Sequence, residues 1–394
     1  MNKGKTKNPG LVNVFFLGMV SFFTDISTEM VYPLIPLYLT AVFGATPAMV
    51  GFIEGVAESL ASLLKVYSGY VSDRFQHKKA IAFAGYFAGI VYKLALIAAT
   101  SWGGVLFARV IDRFGKGVRT APRDVLVSES ADKDKMGNAF GLHKALDTAG
   151  AALGILFTFL LLGSGSGNYD YKMLFGISIV PAVLGLCMFF FIKEKRGKRT
   201  QKKWLPFFKS FGSLDGQLKL YLLVVLLFTL GNSSDAFLLL KAKDVGFSSQ
   251  SVILLYFIFH VAAAALSLPL GGLSDRIGRK KLLVSGYFVF AAVYFGFAAA
   301  FSKPFMYLMF ILYGVHTAMI AGVERAYVAE IAPPELKGTM LGLQSTVAGI
   351  ALLPASIVTG ALWSTFGSVV PFAYGATLSA AAAVVLLLFM KQAK

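Results

Sequence analysis

The chain of 394 residues is 57% hydrophobic and only 14% charged, with 36 Phe, 40 Gly and a formal net charge of +17. So few polar side chains cannot cover a chain of this length in water, which excludes an ordinary soluble domain. The positive excess would favour nucleic acid in a soluble protein, but here it gathers in the connections between apolar runs, so no nucleic-acid partner is expected.

From Leu11 to Met390 about twelve apolar segments follow one another, each long enough to cross roughly 30 Å of hydrocarbon as a helix. They are too long and too weakly alternating for barrel strands, so the expected fold is an all-α bundle of about twelve transmembrane helices. The first span follows Lys3, Lys5 and Lys7 and runs on into TDISTEMVYPLIPLYL without a small-residue cleavage site, so it is expected to stay in the mature chain. It carries Asp25 and Glu29 one turn apart, on a face shared with Tyr32, just before Pro33 and Pro36 interrupt the helix. Glu54, Glu58 and Lys65 share a face of span 2, which ends in GYVSDRFQHKK, residues 69–79.

Span 4 is the most charged. ARVIDRFGKGVRTAPRD places Arg109, Arg113, Lys116 and Arg123 along one stripe, with Asp112 and Arg119 on one flank and Asp124 on the other. Gly115, Gly117 and Pro122 predict a bend there. His143, Lys144 and Asp147 cluster within a turn at the start of span 5, and Cys187, the single cysteine, sits in span 6 as a packed small hydrophobe. The basic segment 193–214 contains WLPFF and reads as an interfacial linker. Beyond it Asp235 lies in span 7, GGLSDRIGRKK follows span 8 at 271–281, and Glu324 with Arg325 are the other charges within the later spans. His260 and His316 stand alone and read as hydrogen-bonded packing residues.

Asp73 recurs as Asp275, 202 positions on, and nearly the same offset relates FGLHKAL at 140–146 to LGLQSTV at 341–347. The chain therefore reads as two pseudo-symmetric six-helix halves, 1–192 and 215–394, joined by the linker 193–214. Duplicated halves suit a secondary transporter, in which one half rocks against the other around a site near the midplane.

The two loop sequences resemble the Gly-x-x-x-Asp-Arg-x-Gly-Arg-Lys signature of the major facilitator superfamily, placed after spans 2 and 8 as in that family. The resemblance covers essentially the whole chain. It implies that Asp73, Arg74 and Lys78, and in the second half Asp275, Arg276, Arg279 and Lys280, form gating charge networks. The first copy departs from the pattern at Gln76 and His77. Arg109 to Gly115 also partly matches the family's Arg-x-x-Gln-Gly-x-Gly pattern, associated with proton-coupled members, with Asp112 in place of the glutamine and Arg113 in place of the first glycine.

An ionised group at mid-membrane costs roughly 2.5 to 3.5 kcal/mol, so charges within spans must face one another or water. They are either a salt-bridge network or the ligands of substrate and protons. As ligands the candidates are Asp25, Glu29, Tyr32, Glu58, Arg109, Asp112, Arg113, Lys116, Lys144, Asp147, Asp235, Glu324 and Arg325. No zinc helix, nucleophile elbow or nucleotide-binding loop occurs in the sequence, which counts against a polytopic membrane enzyme and predicts neither metal nor cofactor. The expected function is secondary active transport of a small organic solute by alternating access, by a monomeric proton-coupled exporter in the cell membrane. A uniporter or anion exchanger is the alternative.

Lys193, Lys195, Arg196 and Lys198 follow span 6, and every even-numbered exit is similarly basic, which predicts that both termini are cytoplasmic. A topology reporter fused at Lys198 should therefore read as cytoplasmic and one at Ser166 as external. Both on one side would remove the twelve-span scheme.

Overall fold

The computed structural model describes residues 9–75, 77–130, 136–162, 170–194, 211–212, 214–299, 302–320, 322–332 and 337–390. Among them every regular element is helical. In chain order these are α1 (Pro9–Val31), α2 (Leu34–Phe43), α3 (Pro47–Phe75), α4 (Lys78–Ala98), α5 (Trp102–Ser130), α6 (Met136–Leu162), α7 (Tyr171–Ile177) and α8 (Ile179–Cys187) with a 3-10 turn over Met188–Phe191. The later half contributes α9 (Gly216–Gly231), α10 (Ala236–Asp244), α11 (Ser249–Ile277), α12 (Arg279–Ala298), α13 (Lys303–Ile320), α14 (Val323–Ile331), α15 (Lys337–Phe366) and α16 (Val369–Phe389). The greater part of the linker expected at 193–214, namely 195–210 and 213, lies outside the described residues.

Eleven spans among the described residues are long and apolar enough to cross a membrane. The twelfth expected span is α5, whose 29 residues reach about 43 Å at 1.5 Å per residue. Its charged side chains lower its hydropathy, so it crosses the threshold in length and not in apolarity. The chain is an all-α multi-pass membrane protein.

The interruptions lie where the backbone chemistry places them. The first span breaks at Tyr32 and Pro33, because a residue preceding proline is pushed out of helical geometry. Pro122, by contrast, is carried inside α5. The repeat also appears in the element bounds, since α3 and α11 each contain 29 residues and each ends in its copy of the loop sequence. In the second copy Gly278 has φ +94°, a left-handed conformation that glycine adopts without steric cost, and it forms the hinge between α11 and α12. The matching position in the first copy, Gln76, lies outside the described residues.

By contacts the chain forms two compact units. One takes residues 1–34, 64–161 and 169–203, and the other takes 35–63, 162–168 and 204–394. In the first unit α4 and α5 make the most extensive helix pair, and α1 packs on α5 and α8. That α4–α5 pair depends on two glycines: a Cβ on Gly115 would lie 2.6 Å from the Gly85 carbonyl oxygen, and one on Gly85 would lie 2.7 Å from that of Gly115. The backbones therefore touch there, in the small-residue packing that helices use in lipid.

In the second unit α12 packs on α16 and α11 on α13, and α9 lies against α15 and α16. Its centre is aromatic. Phe228 stacks on Tyr287 at 4.1 Å between ring centroids and Phe290 on Tyr294 at 3.9 Å, with Tyr313, Phe372 and His316 around them. The first half of α3 belongs to this unit, where Gly51 and Gly55 meet the backbone of α15 at Ser356 and Leu353.

The glycine contact makes a differential prediction. Gly115→Val should cost about 1 to 3 kcal/mol by overpacking against a backbone that cannot retreat. Gly89→Ala, on the same face of α4 but with only the Arg119 guanidinium within 4 Å, should unfold like the parent. Thermal unfolding in detergent measures both.

Candidate functional site

The charged site lies within the first unit, and α5 is its spine. Arg109, Asp112 and Arg113 are 1%, 4% and 2% exposed. Arg109 Nη1 donates to Asp112 Oδ2 at 3.2 Å, and Arg113 Nε lies 3.5 Å from the same oxygen. The ring of Tyr32, just past the end of α1, faces both guanidiniums at 5.3 and 5.5 Å. One carboxylate and one aromatic face thus help to compensate two buried cations.

One to two turns further on, Arg119 lies 4.4 Å above the ring of Tyr86 on α4 and is 7% exposed. Tyr86 Oη is 3.4 Å from Ser21 Oγ of α1, and Ser21 Oγ is 2.9 Å from His143 Nε2 of α6. Arg123 pairs with Asp124 through Nε and Nη2 at 3.0 and 2.8 Å. Asp25 of α1 and Asp147 of α6 act on each other electrostatically, and Asp147 accepts from Lys144 Nζ at 2.6 Å. Glu29, expected beside Asp25 within α1, acts on it as well.

The structure thus brings Asp25, Tyr32, Arg109, Asp112, Arg113 and Asp147 into one unit with Arg119 and Arg123. The stripe expected on α5 divides: Lys116 is exposed while Arg119 is buried, because the close crossing at Gly85 and Gly115 turns that flank of α5 onto α4. Glu58 lies half-buried in the second unit, where Ser234 Oγ donates to the buried Glu54 at 3.4 Å. In that unit Asp235 accepts from Tyr313 Oη at 2.8 Å. Glu324 accepts from Tyr287 Oη at 2.9 Å and from Gln344 at 3.4 Å, while Arg325 is exposed beside it. His260 and His316 bond the backbone carbonyls of Tyr256 and Gly286 amid aromatic rings, as packing residues do.

The basic loop residues form the same latch in both units. Lys78 pairs with Glu129 at the end of α5, and Lys79 Nζ donates to Ile192 O, past the end of the sixth span, at 2.6 Å. Arg279 pairs with Glu330 of α14 at 2.9 Å, and Lys280 Nζ donates to Leu387 O and Met390 O at the end of α16 at 3.0 and 2.5 Å. Each unit thus ties the start of its third span to the ends of its fourth and sixth, with cations on helix C-terminal carbonyls. Glu194 adds an acceptor for the backbone N–H of Lys78 at 2.7 Å. Arg276 is exposed. The side chains of Asp73, Arg74 and Asp275 lie outside the described residues.

Sequence reasoning missed Lys93. It sits in α4, is 1% exposed, donates from Nζ to Gly89 O at 3.1 Å and lies 5.3 Å from the Tyr92 ring. The signal was a lysine deep within a 21-residue apolar span whose other two lysines, Lys78 and Lys79, stand at its start. Lys241 was also missed: it is buried in α10 and bonds Ser368 Oγ at 2.8 Å, which in turn donates to Asp244 at 2.6 Å. Among the described residues no group of three or more His, Cys, Asp or Glu could hold a metal ion.

Spanning helices with two copies of one basic loop sequence, buried charge concentrated in one unit and matched basic latches in both fit a polytopic membrane transporter rather than a membrane enzyme. The family model described as Major Facilitator Superfamily matches residues 17–241 and 221–394, and the chain belongs to that family. It is 36% identical over 385 residues, 95% of this chain and 94% of the relative, to an uncharacterized MFS-type transporter of Methanocaldococcus jannaschii. It is 22% identical to the multidrug resistance protein MdtH of Photorhabdus laumondii, over 89% of this chain and 86% of that one. A solved variant of the nucleoside transporter NupG shares its fold with a TM-score of 0.82 at 13% identity, covering 96% of this chain and 100% of the other.

Asp112 is the carboxylate on which Arg109 and Arg113 converge, so Asp112→Asn leaves two like charges buried side by side. Loss of one partner from a buried charge cluster typically costs about 3 to 5 kcal/mol. Unfolding of the variant in detergent should show a destabilisation of that order, larger than that of Asp124→Asn on the half-buried Arg123 pair.

Proposed function

We propose that this chain is a proton-coupled exporter of small organic solutes, working as a monomer by alternating access in the cell membrane with both termini cytoplasmic. The observation that carries the reading is the approach of Asp25 and Asp147, two carboxyl groups from different helices that act on each other inside the hydrocarbon region, where two like charges favour a proton on one of them. Arg119, Glu29, Lys144, Arg123 and His143 surround that pair. Any rocking of α1 against α6 that separates the two acids changes what the proton is shared with, which ties protonation to conformation. The similarity to a multidrug resistance protein supports export of organic solutes.

The driving force is sufficient. One net charge moved across 100 mV is worth about 2.3 kcal/mol, roughly a fifty-fold gradient. The latches at Lys78 and Arg279 tie each unit together at the end of the spans that the basic loops place in the cytoplasm. In this reading their pairing with Glu129 and Glu330 changes as the transporter cycles.

The test uses sealed proteoliposomes loaded with fluorescent organic solutes of each charge type. An imposed pH gradient should accelerate efflux by the parent protein, and Asp25→Asn should lose that acceleration while equal-pH exchange persists. A parent protein indifferent to the gradient for every solute would overturn the coupling. If the variant is unchanged, the proton site lies elsewhere.

A further inference from the structure

Lys93 and Arg119 are both buried, and their charged heads meet at one turn of α4. Lys93 Nζ lies 3.1 Å from Gly89 O, and Arg119 Nη1 lies 3.9 Å from where a Gly89 Cβ would stand. Like charges converge there in a place where each ionised group costs several kcal/mol to bury. The acids whose fields reach them are Asp112 and, for Arg119, Asp25. Asp112 serves Arg109 and Arg113, and Asp25 makes no ion pair with Arg119 among the described residues. Among the described residues neither Lys93 nor Arg119 makes an ion pair with a carboxylate. Lys93 has a backbone carbonyl and the Tyr92 ring, and Arg119 has the Tyr86 ring.

Gly89 bears on this directly. With no side chain, it leaves room beside the two cations and keeps its own carbonyl within reach of Lys93. The adjoining walls are aromatic and apolar: Tyr86 packs on Phe189 at 5.4 Å, and Phe83 packs on the same ring at 5.6 Å. Two convergent cationic donors beside aromatic surface match a small carboxylate that carries an apolar body.

We infer that Lys93 and Arg119, at the Gly89 turn between α4 and α5, bind the head group of a small organic anion. The inference rests on the transporter reading and gives its substrate class. The anion supplies the negative charge that the fold itself withholds, and each charge-assisted hydrogen bond contributes enough that loss of one cation weakens binding about tenfold or more. Because two buried cations without a carboxylate ion pair of their own cost stability, the site trades stability for binding, as functional sites do.

The test is thermal unfolding of the purified full-length protein in detergent, with benzoate as the anion probe and benzyltrimethylammonium as the cation control. The parent should gain stability with the logarithm of benzoate concentration and gain none from the control. Lys93→Met and Arg119→Gln should lose the benzoate shift, and Lys93→Arg should keep it. Without benzoate, Lys93→Met should melt at or above the parent temperature, because a buried charge has been removed. A purely structural lysine would give the opposite result, a lower midpoint with benzoate response unchanged, and that would overturn the site. So would a folded parent that does not respond to benzoate. If Lys93→Met does not fold, the contrast between Lys93→Arg and Arg119→Gln decides the question alone. No pH gradient enters the measurement, so its failure leaves proton coupling standing, and a failure of coupling leaves the anion site standing.

Discussion

Hydrocarbon cannot solvate an ionised side chain, and the first unit is organised around that fact. Helix α5 carries more charge than any other span, and it is tolerable only because its cations are turned inward and given partners. Asp112 takes Arg109 and Arg113, Tyr32 covers both, and Tyr86 covers Arg119. None of this works unless α5 lies hard against α4, which is why Gly85 and Gly115 bring the two backbones into contact. The glycines and the charges are thus one feature: close approach excludes lipid from the face that holds the ions.

The two units solve different problems with related chains. The first concentrates buried charge, whereas the second fills its centre with Phe228, Tyr287, Phe290, Tyr294 and Tyr313 and has Asp235 and Glu324 accept hydrogen bonds from tyrosine hydroxyls. Aromatic stacking contributes packing energy without a large desolvation cost. What the units retain in common is the latch, Lys78 to Glu129 and Arg279 to Glu330, each pair spanning 51 residues of sequence. Lys79 and Lys280 add the same tie to the ends of the sixth and last spans. A cation on helix C-terminal carbonyls interacts favourably with the dipole and can be released without leaving a buried charge behind, since it sits at the end of the spans. Such ties are suited to being made and broken.

Membership of the Major Facilitator Superfamily fixes the class of work this protein does, and the chemistry of its site narrows it. Lys93, Arg109, Arg113 and Arg119 are four buried cations on two adjacent helices. A carboxyl pair, Asp25 with Asp147, lies on two neighbouring helices. Both sets lie in the first unit, where the proposed coupling of a solute to a proton would draw on them.

The sequence by itself determined the family and the all-α membrane fold, and it displays the repeated loop motif. Apolar run length follows from bilayer thickness, and the duplicated GYVSDRFQHKK and GGLSDRIGRKK can be compared letter by letter. Periodicity also placed Arg109, Asp112 and Arg113 on one side of α5, because residues three and four apart in a helix are neighbours. It could not say that Arg119 would be buried and Lys116 exposed, since that depends on which flank of α5 meets α4. Nor could it bring Asp147 beside Asp25, because the two are 122 positions apart and joined only by the packing of α1 on α6. Lys93 was visible as a letter, but its meaning came from Arg119 arriving at the same turn. Only tertiary structure decides which charges meet, because a helix fixes the direction of each side chain while its neighbours fix what stands there.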